Sequence, residues 1–242
     1  MSAEPGSRID PGARIHPTAI VEGDVHVGAG TEIGAFCYVV GPVIIGENNR
    51  IFPRVIIGTE AEHGSLPSSG VITIGDNNTI RENTVIHRGT GDRDTRLGSG
   101  CYLMDGVHIS HDCIVHDSVT MAHKVVLAGH VVVLEGANLG MMVNLHQHSV
   151  VGAYVMAGQG AVIVEDPVPF SLVVGNPARL ERMNTHALDK QGFGDDAVAL
   201  GHDEDGRVTS ITYHGEVMKE HVDRYLGFQR RKPLVEISVE MP

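Results

Sequence analysis

Residues 97–163 read LGSGCYLMDGVHISHDCIVHDSVTMAHKVVLAGHVVVLEGANLGMMVNLHQHSVVGAYVMAGQGAVI, with an aliphatic residue at every sixth position from Leu97 to Ile163. The same spacing holds from Ile9 to Ile57 and again from Ile74 to Ile86. A six-residue period fits neither an α-helix nor an alternating hairpin, and it is typical of a parallel β-helix. Three hexapeptides close one triangular coil of about 18 residues, with the aliphatic side chains pointing inward. The sequence therefore predicts an all-β fold, a parallel β-helix of hexapeptide repeats.

Composition and charge limit the classes of protein to which the chain can belong. The chain of 242 residues has a formal net charge of −12 and only 4% aromatic residues, so aliphatic side chains must build the core. The acidic balance disfavours binding to nucleic acid. We expect no membrane insertion, because the N-terminus lacks an apolar leader and no apolar run could span a bilayer. Three cysteines without paired spacing suit a reducing compartment, which favours a cytoplasmic protein.

Two segments break the six-residue phase, residues 58–73 and residues 87–96. Their polar and Gly-rich sequences cannot fill the interior, so we expect both to leave the β-helix as loops. Binding residues concentrate on such loops of a rigid scaffold.

The repeat stops after Pro169, and the remaining sequence has mixed patterns. The sequence predicts a β-helix domain over residues 1–177 and a mixed α/β appendage over residues 178–242. Within the appendage it predicts helices over residues 178–191 and 215–226, and short strands over residues 207–214 and 234–240.

Four histidines are predicted to share one edge of the β-helix. Residues 18 apart lie above one another in an uninterrupted stack. The edge group then spans three coils, roughly 10 Å along the axis. His116 and His123 fall on other parts of the β-helix, and we expect them to be solvated. The edge group comprises His111, His130, His146 and His148, with Gly129 and Gln147 in line with His111.

Such an edge group suits two kinds of chemistry. Three imidazoles can bind Zn²⁺ with one position left open for water. Alternatively, one neutral imidazole can abstract a proton while its neighbours bind substrate. Asp112 follows His111 directly, and its carboxylate can orient the imidazole in either role.

Several motifs, in this order, resemble a known enzyme family. They are IRENTVIHRGT (residues 80–90), GVHISHDC (106–113), LAGH (127–130) and HQ (146–147). Together with the repeat, over residues 9–191, they resemble bacterial acyl-[acyl-carrier-protein]–UDP-N-acetylglucosamine O-acyltransferases of lipid A biosynthesis. The resemblance implies a left-handed β-helix and a homotrimer with active sites between subunits. It also implies acyl transfer from acyl carrier protein to a nucleotide sugar, with no metal and no cofactor.

The resemblance implies roles for individual residues as well. His111 matches the general base that deprotonates the sugar 3-hydroxyl, and Gly129 matches a residue whose backbone N–H stabilises the oxyanion. These two functions suffice for attack on a thioester. Positions that match substrate-binding residues are His108, His130, His146, Gln147, Gln159, Asn184 and Lys190.

The sequence departs from the family pattern at several positions. An Asp-Leu-Lys-Tyr-like stretch that contacts the sugar is replaced by EHGSLP (residues 62–67), which has no lysine. Lys190 and Gln191 stand where the family has an Arg pair, which loses the bidentate guanidinium fork. Gln159 stands where a small residue leaves room for a long acyl chain, so we expect a shorter or more polar acyl group. The tail has strand patterns where the family has a helical bundle.

Several functions stay open at this point. The donor can be acyl carrier protein or coenzyme A, and the acceptor a hydroxyl or an amine. The alternatives are an acyltransferase acting on another sugar-like acceptor, a γ-class carbonic anhydrase-like zinc enzyme and a non-catalytic trimeric scaffold. An acidic carrier protein would need local positive charge. Candidates for that charge are Arg179, Arg182, Arg230, Arg231 and Lys232.

Overall fold

Short parallel strands on three faces, which we call A, B and C, form a left-handed parallel β-helix. The computed structural model describes residues 7–91, 93–194, 197–229, 231 and 233–241. Each coil runs through faces A, B and C in turn, and each corner is named by the two faces that it joins.

Face A contains β1 (Arg8–Ile9), β4 (Val25–Val27), β7 (Val43–Ile45), β10 (Ile72–Ile74), β13 (Thr95–Leu97), β16 (Ile114–Val115), β19 (Val132–Val133) and β22 (Val150–Val151). Face B contains β2 (Arg14–Ile15), β5 (Glu32–Ile33), β8 (Arg50–Ile51), β11 (Thr79–Ile80), β14 (Tyr102–Leu103), β17 (Thr120–Met121), β20 (Asn138–Leu139), β23 (Met156–Ala157), β25 (Ser171–Val174) and β26 (Arg179–Met183). Face C contains β3 (Ile20–Glu22), β6 (Tyr38–Val40), β9 (Ile56–Thr59), β12 (Val85–His87), β15 (His108–Ile109), β18 (Val126–Leu127), β21 (Asn144–Leu145) and β24 (Val162–Ile163).

Strand pairing confirms the predicted coil length. Ile109 pairs with Leu127, and Leu127 pairs with Leu145, each 18 residues further along the chain as predicted. The spacing widens to 29 residues between Asn49 and Asn78, and to 23 residues between Asn78 and Cys101. The extra residues form loop 1 (residues 60–71) and loop 2 (residues 88–94), which both leave the β-helix at the C–A corner. Both predicted loops are thus confirmed.

The interior contains two residues from each hexapeptide rather than one. The predicted aliphatic positions are buried from Val27 to Ile163, whereas Ile9, Ile15 and Val21 in the first coil are only partly buried. The residue four positions further on also points inward, and Cys101 and Cys113 occupy two such positions. Both thiols are free, and burial raises the pKa of Cys101 to about 11. These cysteines therefore serve as small apolar side chains rather than as nucleophiles.

The appendage combines two helices with a three-stranded sheet. Its elements are α1 (Thr185–Lys190), β27 (Val198–His202), β28 (Val208–His214), α2 (Glu216–Phe228) and β29 (Glu236–Glu240). Strand β28 lies between antiparallel β27 and parallel β29. No helix in the described part of the chain is long and apolar enough to cross a lipid bilayer.

The predicted helix over residues 178–191 is wrong in its first half. Strand β26 occupies that half and pairs antiparallel with β25, because the edge of face B offers backbone hydrogen bonds that local propensity does not reveal. The helix begins only after Asn184, whose side chain caps it by accepting a bond from the Ala187 N–H. Since the β25–β26 pairing crosses residue 177, the division of the chain at that residue stays a prediction.

Helix α2 packs against the outside of the β-helix. The apolar side chains between them form a cluster separate from the β-helix interior. The Tyr225 hydroxyl donates to the Asp166 carbonyl at 3.0 Å, and the Tyr213 hydroxyl donates to the Pro169 carbonyl at 2.7 Å. The His116 ring lies 5.6 Å from the Phe228 ring, and burial lowers the pKa of His116. The expectation of a solvated His116 is therefore wrong, because the repeat does not reveal which side the appendage covers.

A partly buried ion cluster also joins α2 to the β-helix. The Glu135 carboxylate accepts from His221 Nδ1 at 3.0 Å and from Arg224 Nη1 at 2.9 Å. Burial raises the pKa of Glu135, but the bonds from His221 and Arg224 outweigh it and hold the pKa at about 2. Because this pKa lies below its ordinary value of 4.5, the ion cluster stabilises the fold above about pH 4.5. That stability is lost as the pH falls towards 2.

We expect Glu135→Gln to lower the free energy of unfolding at pH 7 by on the order of 2–3 kcal/mol. The difference from the wild type should shrink as the pH is lowered from about 4.5 towards 2, since the native carboxylate is then protonated as well. Urea denaturation at pH 7 and pH 3 measures both quantities. Exposed Glu181→Gln is the control and should stay within about 0.5 kcal/mol of the wild type. An equal loss at both pH values would contradict the prediction.

Candidate active site

The C–A corner holds two turn residues from each coil. The second of them adopts the left-handed backbone conformation, with φ values of 61° at Asp112, 63° at His130 and 66° at His148. The His130 N–H donates to the His111 carbonyl at 3.0 Å, and the His148 N–H donates to the Gly129 carbonyl at 3.1 Å. The predicted stacking is therefore confirmed. The first turn positions of the three coils are His111, Gly129 and Gln147.

His111 and Asp112 form a buried pair. The distance from His111 Nδ1 to Asp112 Oδ2 is 2.7 Å, and the Thr90 N–H and hydroxyl each donate to the same carboxylate at 2.7 Å. Burial raises the pKa of Asp112, but the hydrogen bonds from His111 and Thr90 outweigh it and hold the pKa below its usual value. An ionised carboxylate only accepts, so His111 Nδ1 donates. In the neutral imidazole the lone pair then lies on Nε2, which can take a proton from a substrate.

Gly129 lies against the face of the His111 ring. A Cβ added to Gly129 would stand 2.4 Å from His111 Cε1 and 2.6 Å from Nε2, so only glycine fits this approach. Gly129 is a turn residue, and within the described residues its N–H donates to no backbone or side-chain acceptor. It can donate to a developing oxyanion near His111 Nε2.

His130 is held as a neutral imidazole one coil above Asp112. Arg93 Nη1 donates to His130 Nδ1 at 3.0 Å. Burial lowers the pKa of His130 to about 4, with His148, His111 and Arg93 adding to the effect and Asp112 opposing it. The 3.4 Å approach of His130 Nδ1 to Asp112 Oδ2 is therefore not an ion pair at neutral pH. With Nδ1 accepting, the His130 Nε2–H can donate to a ligand.

The two loops supply residues that the repeat did not identify. His63 in loop 1 meets the His111 ring edge-on at a centroid distance of 5.4 Å. Thr90 and Arg93 in loop 2 hold Asp112 and His130, as described above. Thr90 is the last residue of the IHRGT motif (residues 86–90), and this motif is the one sequence feature that marks it. Nothing periodic marks His63 or Arg93, because loops have no phase.

His108 lies apart from the corner, on the outward side of β15. Its ring centroid is 5.0 Å from that of His87, and its Nε2 is 3.8 Å from Glu62 Oε2. Burial lowers the pKa of His108, and His87 lowers it further, whereas Glu62 opposes the shift. His108 therefore belongs to a second cluster, next to the His111 pair but distinct from it.

The other predicted substrate-binding residues fall into two groups. His146 and Gln147 lie at the C–A corner, where His146 is exposed and its Nδ1 is 3.1 Å from the Gln147 carbonyl. Gln159 lies between β23 and β24, at the B–C corner. Asn184 caps α1 and donates to the Tyr154 carbonyl at 2.9 Å, beside the A–B corner. Lys190 is exposed at the end of α1.

A single chain therefore places only some of the predicted residues around His111. The corner brings together His111, Asp112, Gly129, His130, His146 and Gln147. Gln159, Asn184 and Lys190 lie at other corners, and their predicted contacts with substrate stay predictions.

Known enzymes resemble this chain in sequence. No family model matches the chain. An acyl-[acyl-carrier-protein]–UDP-N-acetylglucosamine O-acyltransferase from Gloeothece citriformis is 36% identical over 157 residues, which are 64% of this chain and 57% of the relative. One from Verminephrobacter eiseniae is 37% identical over 158 residues, covering 63% of this chain and 60% of the relative. The chain thus spans less than two thirds of the length of these relatives.

Solved structures extend the similarity. LpxA from Acinetobacter baumannii is 32% identical with a TM-score of 0.71, over 81% of this chain and 79% of that one. The UDP-N-acetylglucosamine acyltransferase from Campylobacter jejuni is 30% identical with a TM-score of 0.72, over 81% and 79%. The Francisella novicida enzyme shares the fold over 99% of this chain and 94% of its own, at 24% identity and a TM-score of 0.75. The chain belongs to the family of acyl-[acyl-carrier-protein]–UDP-N-acetylglucosamine O-acyltransferases.

Proposed function

We propose that the chain transfers an acyl group from acyl carrier protein, or coenzyme A, to a hydroxyl or amine of a nucleotide sugar. The names of its relatives favour the 3-hydroxyl of UDP-N-acetylglucosamine as the acceptor. The observation that carries the proposal is the buried His111–Asp112 pair with the Gly129 backbone against the imidazole. This arrangement offers a base and an oxyanion donor, which acyl transfer from a thioester requires.

In the proposed reaction, His111 Nε2 takes the proton of the acceptor hydroxyl while Asp112 stabilises the imidazolium that forms. The acceptor oxygen bonds to the thioester carbon, and the Gly129 N–H stabilises the oxyanion. Collapse of this intermediate breaks the carbon–sulfur bond. The leaving sulfur then receives the proton from His111, so that the base is regenerated. His130 can orient the acceptor through its Nε2–H.

We further propose that the chain acts as a homotrimer. Apolar side chains line the outward side of face C, where Ile20 is 52% exposed, and continue at the B–C corner, where Phe36 is 66% exposed. Burial of such a surface in a subunit contact would stabilise an oligomer. Face C lies between the C–A and B–C corners. A neighbouring subunit packed on it can therefore bring its own Gln159 towards His111.

Positive charge near the C–A corner supports docking of an acidic carrier protein. Arg231 Nη1 donates to the Val164 carbonyl at 3.0 Å, and Val164 follows Ile163, whose carbonyl accepts from the His146 N–H at 2.9 Å. Arg179 lies 3.9 Å from Glu165 and keeps an exposed side chain. Arg182 bonds to the Met183 carbonyl. The remaining two candidates, Arg230 and Lys232, lie outside the described residues.

A mass-spectrometric screen tests the proposed function. Purified protein is incubated with acyl carrier protein and coenzyme A thioesters of graded length, together with a panel of UDP-sugars. We expect an acylated UDP-sugar, with UDP-N-acetylglucosamine as the best acceptor. Acylation of a different sugar-like acceptor alone would favour the first alternative. Hydration of CO₂ without acyl transfer would overturn the proposal in favour of a zinc anhydrase, and no turnover of either kind would favour a scaffold.

Gln159→Gly should widen the acyl preference towards longer chains. Each methylene that a pocket admits or rejects changes kcat/KM by about 10-fold or more. We therefore expect the ratio of kcat/KM for a long donor to that for a short donor to rise by at least about 10-fold. Paired donors in competition, with products counted by mass spectrometry, give this ratio directly. Asp205→Gly changes an exposed turn residue between β27 and β28, away from the corners of the β-helix, and should leave the ratio unchanged. An unaltered ratio in Gln159→Gly would exclude this residue from the acyl site.

A further inference from the structure

Arg93, in loop 2, brings a cationic side chain to the C–A corner beside the candidate active site. Its Nη1 donates to His130 Nδ1 at 3.0 Å, and the residue is otherwise exposed. The backbone around it is closely packed, since a Cβ at Gly89 would stand 2.0 Å from the Arg93 carbonyl oxygen. The Arg93 N–H also donates to the Thr90 carbonyl at 3.2 Å. The loop therefore fixes the point from which the guanidinium reaches His130.

The bond from Arg93 determines which ring nitrogen of His130 carries the proton. A guanidinium group only donates, so His130 Nδ1 accepts and the proton of the neutral imidazole lies on Nε2. The ring is neutral near pH 7, because burial lowers the pKa of His130 to about 4. The His148 ring stacks in parallel on it at a centroid distance of 4.4 Å, which holds the plane of the ring. His130 therefore presents a hydrogen-bond donor at Nε2.

His111 and His130 direct their Nδ1 atoms towards the same oxygen, Asp112 Oδ2. The distances from this oxygen are 2.7 Å to His111 Nδ1 and 3.4 Å to His130 Nδ1. The two rings meet at 88° with their centroids 5.1 Å apart. Both Nε2 atoms therefore point away from Asp112, and the short distance between the rings lets one small group of a substrate bridge them.

The two Nε2 atoms differ in what they can bind. His111 Nε2 offers a lone pair and His130 Nε2 offers a proton, so a bridging group must donate to the first and accept from the second. A hydroxyl group does both at once. An amine is largely protonated near pH 7, and the resulting ammonium group has three donors and no acceptor. The pair therefore suits a hydroxyl, whereas an ammonium group would face the His130 N–H and the like charge of Arg93.

We propose that Arg93 is a positioning residue that makes the site prefer a hydroxyl to an amine as the acyl acceptor. It acts through His130, whose ring proton it holds on Nε2. Without Arg93, His130 Nδ1 is free to donate to Asp112 Oδ2, which lies 3.4 Å away. His130 Nε2 then carries a lone pair and can accept from an ammonium group. The inference rests on the proposed acyl transfer, and it assigns the choice between the two kinds of acceptor to one loop residue.

Competition between two acceptors tests this inference. UDP-N-acetylglucosamine and its analogue with an amino group in place of the 3-hydroxyl are mixed at equal concentration with one acyl donor and the full-length protein at pH 7. Mass spectrometry counts the ester and amide products. We expect the wild type to acylate the hydroxyl acceptor preferentially. Arg93→Gln should raise the ratio of amide to ester by about 10-fold or more, the effect expected when an ionised group gains a hydrogen bond.

Further variants separate the role of Arg93 from a general change at the corner. Arg93→Lys keeps a cationic donor and should keep the wild-type product ratio. Arg8→Gln removes an exposed charge from β1, in the first coil, and should leave both products unchanged. In a His130→Gln background, Arg93→Gln should cause no further shift, because the ring whose tautomer it sets is gone.

Nitrogen NMR spectra of histidine-labelled protein report the tautomer without turnover. We expect the His130 proton on Nε2 in the wild type and in Arg93→Lys, and on Nδ1 in Arg93→Gln. An unchanged product ratio or an unchanged tautomer in Arg93→Gln overturns the inference, as does a ratio change that persists in the His130→Gln background. No transfer to either acceptor by the wild type would overturn the proposed acyl transfer and the selectivity with it, while the spectra would still decide the tautomer.

Discussion

His111→Ala should reduce kcat/KM for acyl transfer by about 10²–10⁴-fold, the usual contribution of a general base. Removal of the imidazole leaves the acceptor hydroxyl protonated when it meets the thioester. It also leaves the Asp112 carboxylate without the Nδ1–H donor that lies 2.7 Å away. Initial rates with the best donor and acceptor from the screen measure the loss, and the acceptor KM should change far less than kcat.

Two further variants distinguish the loss of the base from a loss of folding. His111→Gln keeps a side-chain donor for Asp112 but has no basic nitrogen, so it should be as inactive as the alanine variant. Exposed His202→Ala, on β27 of the appendage, should keep wild-type rates. Full turnover by a folded His111→Ala protein would show that another group is the base.

Gly129→Ala should reduce kcat by about 10²–10³-fold, a loss comparable to removal of one oxyanion donor. The added methyl group would stand 2.4 Å from His111 Cε1, so the imidazole must move away. Its displacement separates the base from the N–H that stabilises the oxyanion. Steady-state kinetics on the purified variant, with circular dichroism to verify the fold, measures the effect.

Gly227→Ala is the matched control for this substitution. Its new Cβ meets nothing within 4 Å, and Gly227 lies in the last turn of α2, where alanine is the better helix former. The control should retain full activity with equal or slightly higher stability. Wild-type kcat in Gly129→Ala would show that the corner tolerates the methyl group and that the backbone here does not contribute to catalysis.

Periodicity predicted the fold and the central pair because the β-helix converts sequence spacing into position. Once Ile109 and Leu127 are known to pair, the stacking of Gly129 on His111 follows from the 18-residue coil. No comparable rule exists for loops, so His63 and Arg93 could not be predicted. Their positions depend on hydrogen bonds between loop 1 and loop 2 that leave no pattern in the sequence.

The appendage shows a second reason for the limits of prediction. Residues 178–191 favour a helix locally, yet Arg179–Met183 pair with the free edge of face B. The burial of His116 likewise depends on Phe228, which is distant in the sequence. Such tertiary contacts override local preference. Roles taken from the family resemblance, at Gln159, Asn184 and Lys190, depend on positions that one chain does not bring to His111.

The two loops also bear on how this fold can change over evolutionary time. Ile45 still pairs with Ile74, and Ile74 with Leu97, although extra residues lie between them, so the coils on either side resume in register. A corner of the β-helix can therefore take up insertions and deletions without disturbing the stack that aligns His111 with Gly129. Recognition of the acceptor can diversify by exchange of these corner segments, while the reacting groups are inherited unchanged.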